Sequence, residues 1–333
     1  MCAEGQFTRE ERCRLQTLLS RAQADYLSCA DTLGLPKKNV TWEGIYTPTA
    51  SLRQEGPMCG ISALCMSMHG IQPAVQDVTD TEAFNVLVNS LPSFLIKECD
   101  KTEPTPVLNR TTLDTESLKL LVYAITKGIT TYGEFFSSTS LADLALRYYN
   151  RQVRCVKNWT CSELASQLHS GRLALVPYDA DFNHQPCSKK GIKAHWAVLT
   201  GMVWISHSDA NESANTLQVE ACDVCVLENG QTVQDDLRNI RVATIATPID
   251  TESTNAPTEM KTHNTSDITR LETRNAYVLA RHGKSSHLAL WSLSSLFESN
   301  AQLTCMDPTI SPAITQRYPP LAEGLCSSIV MLT

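Results

Sequence analysis

Gln54-Glu55-Gly56-Pro57-Met58-Cys59-Gly60, followed by Ile61-Ser62-Ala63-Leu64-Cys65-Met66-Ser67-Met68-His69-Gly70, is the stretch on which the reading of this chain turns. Gly56 and Pro57 mark a turn. The run behind them is apolar and small enough to be buried, and Gly70 supplies a helix stop. The pattern predicts a helix over about 58–69 with Cys59 at its start. A thiol there faces unpaired backbone N–H groups and the positive end of the helix dipole, and both favour thiolate over thiol. The competing reading is an inert, buried cysteine opening a core helix. A base supplied by the rest of the chain would decide between them.

At 333 residues the chain has the length for one large domain or two small ones. Hydrophobic residues at 42% and charged residues at 19% are ordinary for a globular protein. A formal charge of −7 argues against nucleic-acid binding, which favours basic chains. No apolar run approaches the ~20 residues that span a bilayer, so no membrane partner is expected. The first residues show neither a basic n-region nor an apolar h-region, so no signal peptide is expected. Thirteen cysteines, an odd number without framework spacing, then read as reduced thiols of a cytoplasmic protein. The Asn-x-Ser/Thr sequons at Asn39, Asn109, Asn158, Asn211 and Asn264 are chance matches in that setting.

Thr8-Arg9-Glu10-Glu11 has the form of a capping box, and Leu15, Leu18, Leu19, Ala22 and Tyr26 follow at helical spacing. A helical arm over about 8–30 is expected, then an irregular arm over 35–52. Helices are predicted around 84–96, 113–126, 140–150 and 162–170, with a helical turn at 294–298. Strands are predicted at 153–156, 173–178, 195–204, 217–227, 276–281, 288–291 and 328–332. Residues 245–270, rich in Thr, Ser, Asn and Asp, read as a mobile insertion that buries too little to offset its ordering entropy. Helices first and strands after give an α+β fold: a helical half packed on an antiparallel sheet, in one domain over 1–333.

Among the eight histidines, His69 shares the Cys59 helix but lies about 15 Å along it, out of reach. His169 reads as a helix-end residue, His207 and His263 sit in polar segments, His184 lies in a loop, and His282 and His287 flank a Gly-Lys-Ser turn. His195 opens a strongly apolar strand, where a cysteine helix can pack across from it. Gln54, five residues before Cys59, offers a side-chain amide. With the Cys59 backbone N–H it would supply the two donors that a tetrahedral oxyanion needs. Nucleophile, base and oxyanion donor are then Cys59, His195 and Gln54. Gly60, Ser62 and Ala63 are expected on the helix face that meets the His195 strand. Cys222-Asp223-Val224-Cys225 lacks the second ligand pair of a zinc site, and no cofactor or metal is expected.

Gln54 to Gly60 together with Ala194-His195-Trp196-Ala197-Val198 resembles the papain-like cysteine peptidases. Tyr132 to Ser137, Val176 to Cys187 with its Asp181-Phe182-Asn183-His184, Lys190 to Val198, and Gly283-Lys284-Ser285 to Leu303 narrow the resemblance to the actin maturation protease family, over roughly 45–205 and 275–330. The resemblance implies a papain-like fold and a cysteine aminopeptidase that removes the acetylated N-terminal residue of immature actin through a thioester. It carries Cys59, His195 and Gln54 into the roles given above. It also implies actin as substrate and profilin as a candidate partner, although the proline-rich region implied in profilin contact has no counterpart here. The segment 205–274 is a further departure.

The residue that orients His195 stays open among Asp223, Asp181 and Asn183. Arg53, Lys189, Lys190 and Lys193 are candidate cations for an acidic peptide. A papain-like acyltransferase or deubiquitinase-type hydrolase is an alternative function, because the same thiol and imidazole serve several acyl acceptors. A catalytically inactive actin-binding adaptor is another, and it would be expected to lose the nucleophile or the base.

Overall fold

The computed structural model describes residues 13–15, 17–22, 24, 40–54, 56–75, 112–207, 219–221, 238–242 and 276–333. In chain order the elements are β1 (Val40–Tyr46), α1 (Cys59–Ser67), α2 (Thr112–Thr126), α3 (Ser138–Tyr149), β2 (Val153–Lys157), α4 (Cys161–His169), β3 (Ala174–Asp179), β4 (Ala194–His207), β5 (Val219–Ala221), β6 (Arg238–Val242), β7 (Ala276–His282), β8 (Ala289–Ser292), α5 (Leu293–Ala301), the single turns α6 (Pro312–Thr315) and α7 (Leu321–Gly324), and β9 (Ser328–Leu332). The fold is α+β. The nine described strands form one sheet in the order β2-β9-β3-β4-β1-β6-β5, with β7 pairing β4 and β8. Every pairing is antiparallel.

Strand β4 is the hub. Its first half pairs with β3, its second half with β1, and residues 197–204 pair with β7. Period-two alternation sorts its side chains between two cores. Trp196 and Val198, with Leu175 and Val330, face the layer of α1, α2 and α3. Ala197 and Leu199, with Val176, Tyr178, Ile329 and Met331, face α4, α5 and Trp291. Because both faces are covered, β3 is buried at every residue, which explains its continuous apolar run. Pro177 is tolerated inside β3 because β9 pairs only with Ala174 and Leu175. On the side where proline lacks a donor, Asn300 Nδ2 donates to the Pro177 carbonyl at 2.8 Å.

The segment 35–52 corrects the sequence expectation. It contains β1, bound between β4 and β6, whereas an irregular arm was expected. Its pairing depends on two close approaches that no local pattern reports. A Cβ at Gly201 would meet the Ile45 carbonyl oxygen at 2.2 Å, and one at Gly44 would meet the Met202 oxygen at 2.5 Å. Strand β6 was likewise not expected. Strand β1 therefore lies between the N-terminal helical residues and α1, and strands and helices are interspersed along the chain. The remaining predicted elements that fall on described residues are present within a few residues of their expected ends, and α5 is a nine-residue helix in place of a turn. In the N-terminal arm, residues 13–15, 17–22 and 24 are helical, with Leu15, Leu19 and Ala22 buried. Arg14 Nε ties that arm to the Leu288 carbonyl at 3.1 Å. The predicted helix at 84–96, the insertion at 245–270, and Cys222, Asp223 and Cys225 lie outside the described residues.

Candidate active site

Helix α1 begins at Cys59, and the preceding Met58 caps it with no side-chain bond. The first-turn amides are therefore left to whatever stands in front of them. Gln54 lies against the end of β7: its backbone N–H donates to the Gly283 carbonyl at 2.7 Å. Its Nε2 donates to the Gly56 carbonyl at 3.0 Å and keeps a second hydrogen, while its Oε1 is buried without a partner. Gly283 makes this seat. A Cβ there would approach Gln54 Oε1 to 2.5 Å and Gln54 Cβ to 2.8 Å. Gly60 corrects another expectation. Its open side meets Phe135, at 3.0 Å from where a Cβ would sit, so this glycine admits an aromatic ring from the α2–α3 connection rather than β4.

His195 opens β4 opposite Tyr178 and is 8% exposed. Its neighbour Trp196 turns to the other face and donates Nε1–H to the Phe135 carbonyl at 2.8 Å, anchoring the strand start to the helical layer. Gln54, Cys59, Lys193, His195, Trp196 and Lys284 together line one cleft of about 250 Å³. The structure thus brings the three sequence-selected residues into a single concavity.

Burial pushes the Cys59 thiol up, against the backbone N–H groups of Trp196 and Gly60 and the Lys284 charge, which pull it down. Burial also pushes His195 well below the usual histidine range, and His282, Lys284 and His184 add to the effect. Burial of the site thus acts against both charged forms and opposes the pull toward thiolate expected from the helix start.

Of the remaining candidates, Lys193 lines the cleft, whereas Arg53, Lys189 and Lys190 are exposed outside its lining. Asp181 accepts from the Asn183 and Gln185 backbone N–H groups at 2.7 and 2.8 Å, and Asn183 is exposed. His169 has a buried, unpartnered Nδ1 at the end of α4.

Sequence reasoning missed four residues. His184 and His282 stand ring against ring with His195, centroids 6.1 and 6.2 Å away. Lys284 lines the cleft. Asp179, fully buried, folds the loop before β4: its Oδ2 accepts from the N–H groups of Lys189 and Gly191 and from Gln302 Nε2, and its Oδ1 from Lys193 N–H. His184 and Lys284 stood inside stretches that carry the family resemblance, and His282 beside one, but nothing local to any of the three points to the cleft. Among the described residues no group of His, Cys, Asp or Glu is arranged to hold a metal ion, and no helix is long and apolar enough to cross a membrane.

Comparison with known proteins adds to this geometry. Residues 105–203, which include His195 but not Cys59, match the family model described as "Actin maturation protease-like, C-terminal domain". The chain is 27% identical over 307 residues to the actin maturation protease of Danio rerio, covering 89% of this chain and 76% of that protein. It is 28% identical over 290 residues to that of Homo sapiens, covering 85% of this chain and 63% of that protein. The Mus musculus protein of the same name is 30% identical over 240 residues, or 66% of this chain and 55% of that protein. No solved structure matches. Over most of its length, the chain is similar to the curated actin maturation proteases.

Proposed function

We propose that this protein is a cysteine aminopeptidase of papain-like type that removes the N-acetylated first residue of immature actin. The observation that carries the proposal is the meeting of Gln54, Cys59 and His195 in one cleft, in a chain whose relatives are named for actin maturation. The reaction begins from a neutral pair. His195, held deprotonated by burial, takes the Cys59 proton as Sγ attacks the carbonyl of the acetylated residue. The Cys59 backbone N–H and Gln54 Nε2 stabilise the oxyanion. His195 then protonates the departing amine, which becomes the new N-terminus of the substrate. Water, deprotonated by His195, hydrolyses the thioester and releases the acetylated amino acid.

Lys193 and Lys284 at the cleft give an acidic peptide a favourable potential in a chain of net charge −7. The eight described cysteines are free thiols, which fits a reducing, cytoplasmic setting. One sheet shared by both cores fits a single peptidase domain.

The test is mass analysis of an N-acetylated acidic peptide with the immature actin N-terminus after incubation with purified protein. Wild type should remove one acetylated residue, and Cys59→Ala should lower the rate about a thousandfold or more. Peptide left intact by wild type, or cut equally well by Cys59→Ala, would overturn the proposal. A chain that labels with a ubiquitin probe but leaves the peptide intact would be a deubiquitinase-type enzyme instead.

A further inference from the structure

His195 carries an unresolved need. Its Nε2 is buried and has no hydrogen-bond partner. If Nδ1 is to take the Cys59 proton, Nε2 must hold the ring's own hydrogen and give it to an acceptor, or the imidazole will spend time in the wrong tautomer. Asp181 Oδ1 accepts from the backbone of its own loop, and neither Asp181 oxygen bonds His195 Nε2.

A second buried nitrogen without a partner lies in the same cluster: His282 Nδ1. His282 ends β7, and its Cα is paired with Ala197, two residues along β4 from His195. The two histidines are therefore diagonal neighbours on one face of an antiparallel pair, within reach of ring side chains. Their rings lie 6.2 Å apart at 74°. The His282 ring is stacked on Trp291 at 5.8 Å and 20°, and Trp291 packs on Tyr178, which in turn meets His195 edge-on. These aromatic walls keep water from the pair. Two unpartnered polar atoms buried on rings 6.2 Å apart each carry a desolvation cost that pairing them removes.

We infer that His282 is the positioning residue of His195, its Nδ1 accepting the His195 Nε2–H and leaving His195 Nδ1 free to face Cys59. The inference rests on the proposed roles of Cys59 and His195. Burial, then His184, hold His282 at about 4, so it is neutral at pH 7 and has a lone pair to offer. The charged and titratable groups around the cluster are His184, Lys284 and, through His184, Asp181 and Lys193. When His195 becomes imidazolium, the same bond strengthens. The present ring separation closes by side-chain rotation, as catalytic hydrogen bonds do when substrate arrives.

Two variants of the full chain test this. His282→Phe keeps a ring on Trp291 and removes both nitrogens. His282→Asn returns an acceptor oxygen. The readouts are kcat and KM on the acetylated peptide, and the rate at which iodoacetamide alkylates Cys59 as a function of pH, followed by mass on the Cys59 peptide. His282→Phe should lower kcat about tenfold to a hundredfold at unchanged KM and slow alkylation at pH 7 by a similar factor. His282→Asn should recover most of both. Wild-type kcat and alkylation in His282→Phe, or no recovery in His282→Asn, would overturn the inference. If His282→Phe does not fold, His282→Asn is read against wild type: an alkylation profile within about tenfold supports the inference, and a larger loss overturns it. The alkylation arm needs no peptide, so a wild type that leaves the peptide intact counts against the substrate and not against His282.

Discussion

Cys59 sits between opposing influences. The amides of Gly60 and Trp196 and the charge of Lys284 favour its thiolate, while burial opposes it and prevails. His195 is displaced the other way by the same burial. Burial thus works against a preformed ion pair at this site. Gln54 is held with similar economy: its side chain lies in the space that Gly283 leaves empty. Gly283→Ala should therefore push the Gln54 amide from its seat. The expected outcome is a fall of about a hundredfold in kcat for the acetylated peptide, with a melting temperature close to wild type. Steady-state kinetics and a thermal melt on the same preparation check it, and unchanged kcat would remove Gln54 from the oxyanion role. Cys59, His195 and Gln54 were legible in the sequence because each stands at a recognisable local position: a helix start, a strand start and a turn. His282 was not, since its importance comes from pairing with Ala197, 85 residues earlier in the chain.

At the scale of elements, the loop between β3 and β4 does the positioning. It carries His184, which meets His195 and His282, and Lys193, which lines the cleft. The buried carboxylate of Asp179 gathers the backbone of residues 189, 191 and 193, and Ser299 Oγ both accepts from its N–H and donates to its carbonyl. Gly191 completes the turn at φ 92°, with Leu321 and the Cys305 carbonyl where a side chain would go. Asp179→Ala leaves several buried donors unsatisfied and should cost about 3 kcal/mol or more. Urea unfolding measures that loss, and a change below about 1 kcal/mol would show that the loop is held by its other contacts. Periodicity found β3 and β4 because both their faces are buried. The role of Asp179 escaped it, because a carboxylate that accepts from amides ten to fourteen residues away leaves no periodic mark.

For the whole molecule, three histidines collected beside two hydrophobic cores set the response to acid. His195, His282 and His184 are all held below the usual histidine range by burial. The unfolded chain therefore binds more protons than the folded one between the ordinary value near 6.5 and the depressed values, which for His282 is about 4. Stability should be full above about pH 6.5 and fall as pH drops toward 4, by up to about 1.4 kcal/mol per pH unit for each fully buried histidine. Urea unfolding at pH 7, 6 and 5 checks the slope, and His282→Asn should make it shallower. A flat profile would mean that these rings are solvated. The sequence by itself determined the α+β composition, most of the strands and helices on described residues, and the choice of Cys59, His195 and Gln54 as candidates, because turn chemistry, capping and side-chain period act within a few residues. Only the tertiary structure decided that β1 joins the sheet, that burial pushes the Cys59 thiol up, and that His282 and Lys284 stand beside His195 and Cys59. Those outcomes depend on burial and strand pairing between distant segments, and neither is a local property of the chain.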